Sequence, residues 1–197
     1  MVKRARIRGE HYTWRYIWSA ATSLRDRGKV DVDDGWWLTM SAMLLCYSAL
    51  EAYVNFLGPK LCEEEWRDEK AFFSKGEFRG TLGKLAYLMR RAGVPVQRGR
   101  QPWQTLKSLN ERRDRLVHPL HESWDRVIDY PDTGLPGRVN PLFFTHADEA
   151  FVDKVMIALP AICDPLHVAT GNMLKQSGSM GLAAFKGILG HQGGNLL

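Results

Sequence analysis

Two side chains near the middle of the chain, Arg113 and His118, have the types and the spacing to act on a phosphodiester. Arg113 falls on the apolar side of a predicted helix whose stripe consists of Trp103, Leu106, Leu109, Leu116 and Val117. A guanidinium stays charged, so in such a position it needs a carboxylate partner or a water-filled groove. The following Pro119 biases His118 away from helical geometry and places it at or just past the helix end. The segment therefore predicts a fixed cation beside a titratable imidazole.

Asp114 is the acidic residue of this segment. It lies one helical turn before His118 and can hold the imidazole ring there. The last carbonyls of the helix also favour the protonated ring. The sequence thus provides both a group that moves a proton and a group that can orient it.

The segment Arg113 to His118, RDRLVH, resembles the Arg-polar-x-x-x-His signature of HEPN domains, all-helical domains named from higher eukaryotes and prokaryotes nucleotide-binding. The context adds weight: Pro119 follows the histidine, and the upstream stretch SALEAYVN, residues 48–55, looks like the first core helix of the same family. The resemblance covers roughly residues 35–120 and extends to the last long helix.

The resemblance implies an all-α, HEPN-like bundle of about five helices. Catalytic members of that family are metal-independent endoribonucleases, often toxins or antiphage effectors, in which two signature motifs line one cleft of a dimer. His118 would then serve as general base or acid, and Arg113 would stabilise the charge growing on the phosphate. Asp114 would orient His118 or Arg113, and Glu51 would brace Arg113 from the neighbouring helix. No metal and no cofactor is implied.

Glu51 also attracts attention without the resemblance. It is the single charge in the apolar segment of residues 36–57, and Arg113 is a charge on another apolar helical seam. Because buried charges are found paired, we predict that Glu51 meets Arg113. The alternative is a carboxylate at the margin of the core that reaches water.

A basic cluster lies next to the signature helix in sequence. It consists of Arg90, Arg91, Arg98 and Arg100, and Arg115 adds a further cation within the signature. These five residues are predicted to steer the phosphates of RNA. The alternative interpretation is an ordinary solvated surface.

Composition is that of a globular domain with a mild preference for a polyanion. Lys and Arg outnumber Asp and Glu by 27 to 22, which slightly favours a polyanionic partner. The resemblance implies that this partner is RNA, and no DNA is expected. The three cysteines are widely spaced, so they predict neither a disulfide framework nor a zinc site, and a reducing cytoplasm fits best. The start MVKRARIR has no apolar stretch behind it and is not read as a signal peptide.

Helical periodicity predicts the elements that position these residues. We expect helices over residues 10–27, 36–57, 63–73 and 81–92, then the signature helix, and a last long helix capped by Thr145 that Pro160 and Pro165 kink or split. The segment 36–57 is apolar enough to be weighed as a membrane span. Its polar residues gather in a stripe, however, so a buried core helix is predicted and no membrane partner is expected.

The chain is predicted to form one HEPN-like domain over residues 1–176, with a basic arm at 1–9 and a Gly-rich tail at 177–197. The Pro- and Gly-rich connection 119–141 could be a lid on the groove. The stretch MGLAAFKGIL in the tail, residues 180–189, is expected to pack on the body or on a second subunit.

Two functional interpretations remain open. The first is a toxin or defence-type endoribonuclease that acts as a homodimer, with a possible antitoxin protein as partner. A dimer is expected because one Arg and His pair offers one titrating group, whereas displacement at phosphorus uses an acid and a base. Tryptophans such as Trp14, Trp18, Trp36 and Trp37 could line the interface. The second is a non-catalytic helical module that binds a nucleotide, RNA or a protein.

Overall fold

The structure is a computed structural model and describes residues 12–31, 33–118, 147–173 and 184–185. Regular secondary structure in these ranges is entirely helical and comprises α1 (Thr13–Gly28), α2 (Gly35–Leu61), α3 (Glu63–Arg67), α4 (Glu69–Phe72), α5 (Gly80–Arg91), α6 (Trp103–Val117) and α7 (Glu149–Met173). The all-α class is confirmed. The basic arm 1–9, the connection 119–141 and Thr145 lie outside the described residues.

The number of helices differs from the expected five or so. Seven are present in the described ranges, one more than the six segments that periodicity predicted, because the helix predicted over residues 63–73 is divided into α3 and α4 at Asp68. Asp68 leaves helical geometry, and its carboxylate accepts a hydrogen bond from the Ala71 amide at 3.4 Å, which caps α4. An ion pair between Glu69 and Lys84 then fastens α4 to α5.

Helix α2 is the centre of the bundle and packs against α1, α3, α5, α6 and α7. By length and composition it could cross a membrane, but half of its most apolar 18-residue window is buried against the rest of the protein. Its Ala42, Met43, Leu50 and Leu57 are completely buried in the core. It therefore has the position of a core helix, as the polar stripe predicted.

Helix α2 also continues beyond its predicted end. The predicted helix ended at residue 57, yet the observed helix runs through Gly58 and Pro59 to Leu61. The glycine has a packing role instead, since a Cβ on Gly58 would lie 1.9 Å from the indole of Trp66. Trp66 thus closes on the α2 backbone where only glycine leaves room.

Helix α7 is a single helix, and the predicted split at Pro160 or Pro165 does not occur. A proline inside a helix costs about 3 kcal/mol, and here the continuous buried face of α7 offsets that cost. Val152, Val155, Leu159 and Leu166 of this face are fully buried. Packing of α7 on α2 and α6 therefore decides its course.

The start of α7 is tied to the signature helix α6 by Arg112. Its guanidinium donates to the Asp148 carboxylate at 2.6 Å and lies 3.8 Å from the centroid of the Phe151 ring. Asp148 also accepts from the Phe151 amide at 2.7 Å, which caps the first turn of α7. Arg112 therefore has a structural role, although it directly precedes Arg113 in sequence.

Two residues of the Gly-rich tail are held in the core. Phe185 is 2% exposed and packs edge-on against Trp18 and Tyr53. Its amide donates to the buried Asp164 carboxylate at 2.7 Å, and Trp14 donates to the Ala184 carbonyl at 3.3 Å. The tail was predicted to pack on the body of the protein or on a second subunit. At Ala184 and Phe185 it packs on the body.

Candidate functional site

His118 lies where its sequence context predicted, directly after the last residue of α6. Its amide donates to the Asp114 carbonyl at 2.9 Å, which closes the final turn of the helix. The residue is exposed to solvent. An imidazole in this position is open to a substrate and to protons from water.

Arg113 is held by two contacts on its own and the neighbouring helix. Its guanidinium donates to Asp114 Oδ1 at 3.0 Å and lies over the ring of Tyr47 on α2, 5.1 Å from the ring centroid. The side chain of Arg113 is 28% exposed. The cation is thus fixed in direction while part of it remains accessible.

Asn110 closes these contacts into a ring. The Tyr47 hydroxyl donates to Asn110 Oδ1 at 2.7 Å, and the Asn110 amide donates to Asp114 Oδ2 at 3.1 Å. We call the four residues Tyr47, Asn110, Asp114 and Arg113 the tyrosine network. It joins α2 to α6 and uses both oxygens of Asp114.

The contacts of the Asp114 side chain bear on the two roles considered for it. Its side chain contacts Arg113 and Asn110, whereas its link to His118 is through the backbone. The physical reason is direction: the carboxylate at position 114 lies beside its neighbour 113 and one turn from Asn110. Asp114 is therefore an orienting group for Arg113.

The predicted ion pair between Glu51 and Arg113 is not formed among the described residues. Glu51 accepts a hydrogen bond from the Thr81 hydroxyl of α5 at 2.9 Å, and Arg113 takes Asp114 as its carboxylate partner. Both charges influence the pKa of Tyr47: the Glu51 carboxylate raises it and the Arg113 guanidinium lowers it. The two helices do meet as expected, but Tyr47 rather than Glu51 supports the arginine.

Burial raises the pKa of Tyr47, and the nearby Glu51 carboxylate acts in the same direction. The Thr81 hydroxyl and the Arg113 cation oppose this and lower the pKa, without reversing the net shift. The phenol therefore stays protonated at neutral pH and remains a hydrogen-bond donor. In the structure this hydroxyl positions Asn110, to which it donates.

A cavity of about 460 Å³ opens beside the tyrosine network. Its polar lining comes from three helices and their ends: Tyr47 and Glu51 of α2, Arg79 and Thr81 at the start of α5, and Asn110 and Asp114 of α6. This volume lies in the range of about 300 to 1,000 Å³ that small-molecule sites occupy. The cavity could therefore hold part of a substrate whose phosphate reaches Arg113.

The predicted phosphate-steering arginines separate into distinct places. Arg90 and Arg98 both approach the carboxylate of Glu77, at 3.8 and 3.7 Å, and flank a second cavity of about 530 Å³. Apolar residues, including Phe78 and Val94, line this second cavity with them. These two cations are brought together as the sequence suggested, but Glu77 partly neutralises them.

The other three predicted arginines lie apart from that pair. Arg91 lies on the α2 and α3 side of α5, where its charge acts to lower the pKa of Cys62 and of Glu65. Arg115 is an exposed residue in the last turn of α6, and Arg100 is exposed in the turn that precedes α6. Arg115 is therefore the cation of this group that shares the helical turn of the signature.

Metal-ligating side chains do not come together in threes in the part of the chain that the structure describes. Glu51 and Asp114 line one cavity, yet a carboxylate pair alone is a sparse ligand set for a divalent ion. In the structure both carboxylates accept hydrogen bonds from neighbouring side chains.

Four residues of the site were missed by sequence reasoning: Tyr47, Asn110, Thr81 and Arg79. Two of them carried a usable signal, because Tyr47 is one turn before Glu51 and Asn110 is one turn before Asp114. An aromatic residue in an apolar helix is counted with the core, and this concealed the hydroxyl of Tyr47. Thr81 and Arg79 carried no such signal.

Comparison with protein-family models, with curated proteins and with solved structures finds no match to this chain.

Proposed function

We propose that this protein is a metal-independent endoribonuclease of the HEPN type, in which Arg113 and His118 act on the phosphodiester of RNA. The observation that supports it best is the contrast between these two residues. Arg113 is fixed by Asp114 and Tyr47, whereas His118 is exposed at the end of the same helix. A pre-oriented cation and an accessible imidazole at the end of the same helix are suited to stabilise charge and to move a proton.

The reaction would be an internal transfer. His118 accepts the proton of the ribose 2′-hydroxyl, and the 2′-oxygen forms a bond to the adjacent phosphorus. The bond from phosphorus to the 5′-oxygen of the next nucleotide breaks, and that oxygen receives a proton. Arg113 stabilises the additional negative charge on the phosphate. The products are a 2′,3′-cyclic phosphate and a 5′-hydroxyl.

The proton for the leaving oxygen needs a second acid. A second copy of this chain would supply it through its own exposed imidazole, which makes a homodimer part of the proposal. The exposed apolar side chain of Val117, next to His118, is consistent with a contact at this end of α6.

The test is cleavage of generic RNA and transfer RNA by purified protein in EDTA. We expect cleavage that persists under chelation, ends in 2′,3′-cyclic phosphate, and falls at least a hundredfold in His118→Ala and Arg113→Ala. The exposed Arg67 on α3 provides a matched control, because Arg67→Ala also removes one surface cation. Cleavage abolished by EDTA and restored by magnesium would exclude this mechanism.

One observation favours the second interpretation, a non-catalytic helical module. The contacts of Arg113 with Asp114 and Tyr47 would also serve simply to join α6 to α2. In that case Arg113→Ala should lower stability, and no RNA should be cleaved by the wild-type protein. RNA cleavage by the wild-type protein separates the two interpretations, and circular dichroism melting shows whether a loss of cleavage in Arg113→Ala follows from unfolding.

A further inference from the structure

The cavity of about 460 Å³ beside the tyrosine network has a polar lining that catalysis at phosphorus does not use. Glu51 and Thr81 belong to this lining and are hydrogen-bonded to each other, whereas Arg113 takes Asp114 as its carboxylate partner. Their hydrogen bond at 2.9 Å joins α2 to the first turn of α5. This hydrogen bond fixes the acceptor oxygens of Glu51 next to the proposed reaction centre.

Glu51 is the organising residue of that arrangement. Thr81 donates to Oε1, so the carboxylate is fixed in direction, and each of its oxygens keeps lone pairs for further donors. The residue is only partly buried, and it lines the cavity. The site therefore offers two neighbouring acceptor oxygens to a bound molecule.

Two adjacent acceptors select among the bases of RNA. Guanine presents two neighbouring donors, N1–H and the 2-amino group, on its Watson–Crick edge. Adenine presents one amino group beside the acceptor N1, cytosine one amino group beside the acceptor N3, and uracil one N–H between two carbonyls. A carboxylate can therefore form a bidentate pair with guanine alone, and unpaired bases in RNA are read on these edges.

Arg79 complements this choice from the start of α5, where it also lines the cavity. Guanine carries two acceptors, O6 and N7, on its other edge, and an arginine fork is the common partner for them. A cavity with one carboxylate and one guanidinium in its lining thus fits a base with a donor edge and an acceptor edge. Its volume is in the range of small-molecule sites.

We propose that this cavity is a guanine-binding subsite in which Glu51 reads the N1–H and 2-amino group. Its role in choosing the cleavage position rests on the proposed ribonuclease function, but the binding itself does not. Glu51 is a specificity residue, and Thr81 positions it. The bound nucleotide is the one whose 3′-phosphate reaches Arg113, since Asp114 belongs to both the cavity and the tyrosine network.

The test measures, by calorimetry, the equilibrium binding of guanosine, inosine and adenosine 3′-monophosphates to the full chain. We expect the guanosine nucleotide to bind at least about tenfold more tightly than the adenosine nucleotide. Inosine, which keeps N1–H but lacks the amino group, should fall between them. Equal affinity for all three, or no binding of any, would overturn the proposal.

The sharpest variant is Glu51→Gln. A glutamine amide presents one acceptor and one donor, which matches the amino group and N1 of adenine instead of the two donors of guanine. The ratio of guanosine to adenosine affinity should therefore fall at least tenfold. If Glu51 had a purely structural role, Glu51→Gln would weaken the binding of both nucleotides by the same factor. Glu63→Gln, at an exposed position on α3, is the matched control and should leave the ratio unchanged.

Sequencing of cleavage ends separates this proposal from the proposed function. Cleavage that is indifferent to the base 5′ of the scissile phosphate would overturn the subsite and leave the ribonuclease intact. Selective binding of the guanosine nucleotide by a protein that cleaves no RNA would overturn the ribonuclease function and leave the subsite intact. An unchanged ratio in Glu51→Gln would show that another group reads the base and would also overturn the proposal.

Discussion

The guanidinium of Arg113 lies over the ring of Tyr47, 5.1 Å from its centroid, so that a cation of α6 rests on an aromatic residue of α2. The Tyr47 hydroxyl continues through Asn110 to Asp114, which holds the same arginine from the side. The direction of Arg113 is therefore set by two neighbours, Tyr47 of α2 and Asp114 of α6, which Asn110 joins to each other. This relationship gives the first prediction.

We expect Tyr47 and Arg113 to be energetically coupled. A double-mutant cycle with Tyr47→Leu and Arg113→Met, measured by urea unfolding, should give a coupling of about 0.5 to 2 kcal/mol. Tyr47→Phe keeps the ring and should cost only about 0.5 to 1.5 kcal/mol for the lost hydrogen bond. The control cycle is Glu51→Gln with Arg113→Met, for which we expect coupling within about 0.5 kcal/mol. Strong coupling in the control cycle alone would contradict the tyrosine network.

This contrast illustrates which parts of the site could be predicted from sequence. The end of α6 could be predicted, because Pro119 restricts His118 locally. The α2 partner of Arg113 could not, since it depends on how α2 is rotated about its own axis relative to α6. Hydrophobic periodicity defines a face of about a third of a helix, and Tyr47 and Glu51 both lie near its edge. Which of the two faces the arginine is settled by packing.

The fold likewise has features that local sequence signals predict and features that long-range packing determines. The all-helical class and the ends of α1 and α5 follow from local signals, including Gly28 in the last turn of α1 and Gly93, which has a φ of 70° after α5. The expected end of α2 at residue 57 and a split of α7 at Pro160 or Pro165 were wrong, because long-range packing of α2 and α7 outweighs the local preference. Trp14 and Trp18 likewise belong to the core and not to an exposed surface.

The second prediction concerns acid stability and Asp148. Burial raises its pKa, but the hydrogen bonds from Arg112 and the Phe151 amide outweigh this, so the net pKa lies below the usual 3.8. Its charge therefore stabilises the fold above that value, and the contribution is lost as pH falls from about 5 through the lowered pKa. The carboxylate is half exposed, so we expect an effect of about 1 kcal/mol or less.

Asp148→Asn isolates this charge, because asparagine still caps a helix. Urea unfolding should show a loss of stability at pH 7 that shrinks towards pH 3. Asp34→Asn is the matched control, since Asp34 precedes α2 without a side-chain capping bond. A loss that is the same at both pH values would mean that the charge of Asp148 does not contribute.

The third prediction tests the two tail residues in the core. Phe185 is buried among Trp18 and Tyr53, so Phe185→Ala should remove a large side chain from a packed site and cost about 3 to 5 kcal/mol. Tryptophan emission should shift to the red as water reaches Trp18. Phe72→Ala is the control, because Phe72 is 47% exposed. Equal stability of both variants would place Phe185 outside the core.

The last prediction is the homodimer. Light scattering at tens of micromolar should give twice the mass of the chain, and a strict monomer would contradict the proposal. If the two-fold axis lies near the signature, Val117 is at the contact, and its 43% exposure is that of the isolated chain. Val117→Lys adds a charge there while suiting the end of α6, where a cation is favourable. It should shift the equilibrium to monomer and reduce cleavage in parallel. Ile157→Lys adds the same charge at a 73% exposed position of α7 and should change neither.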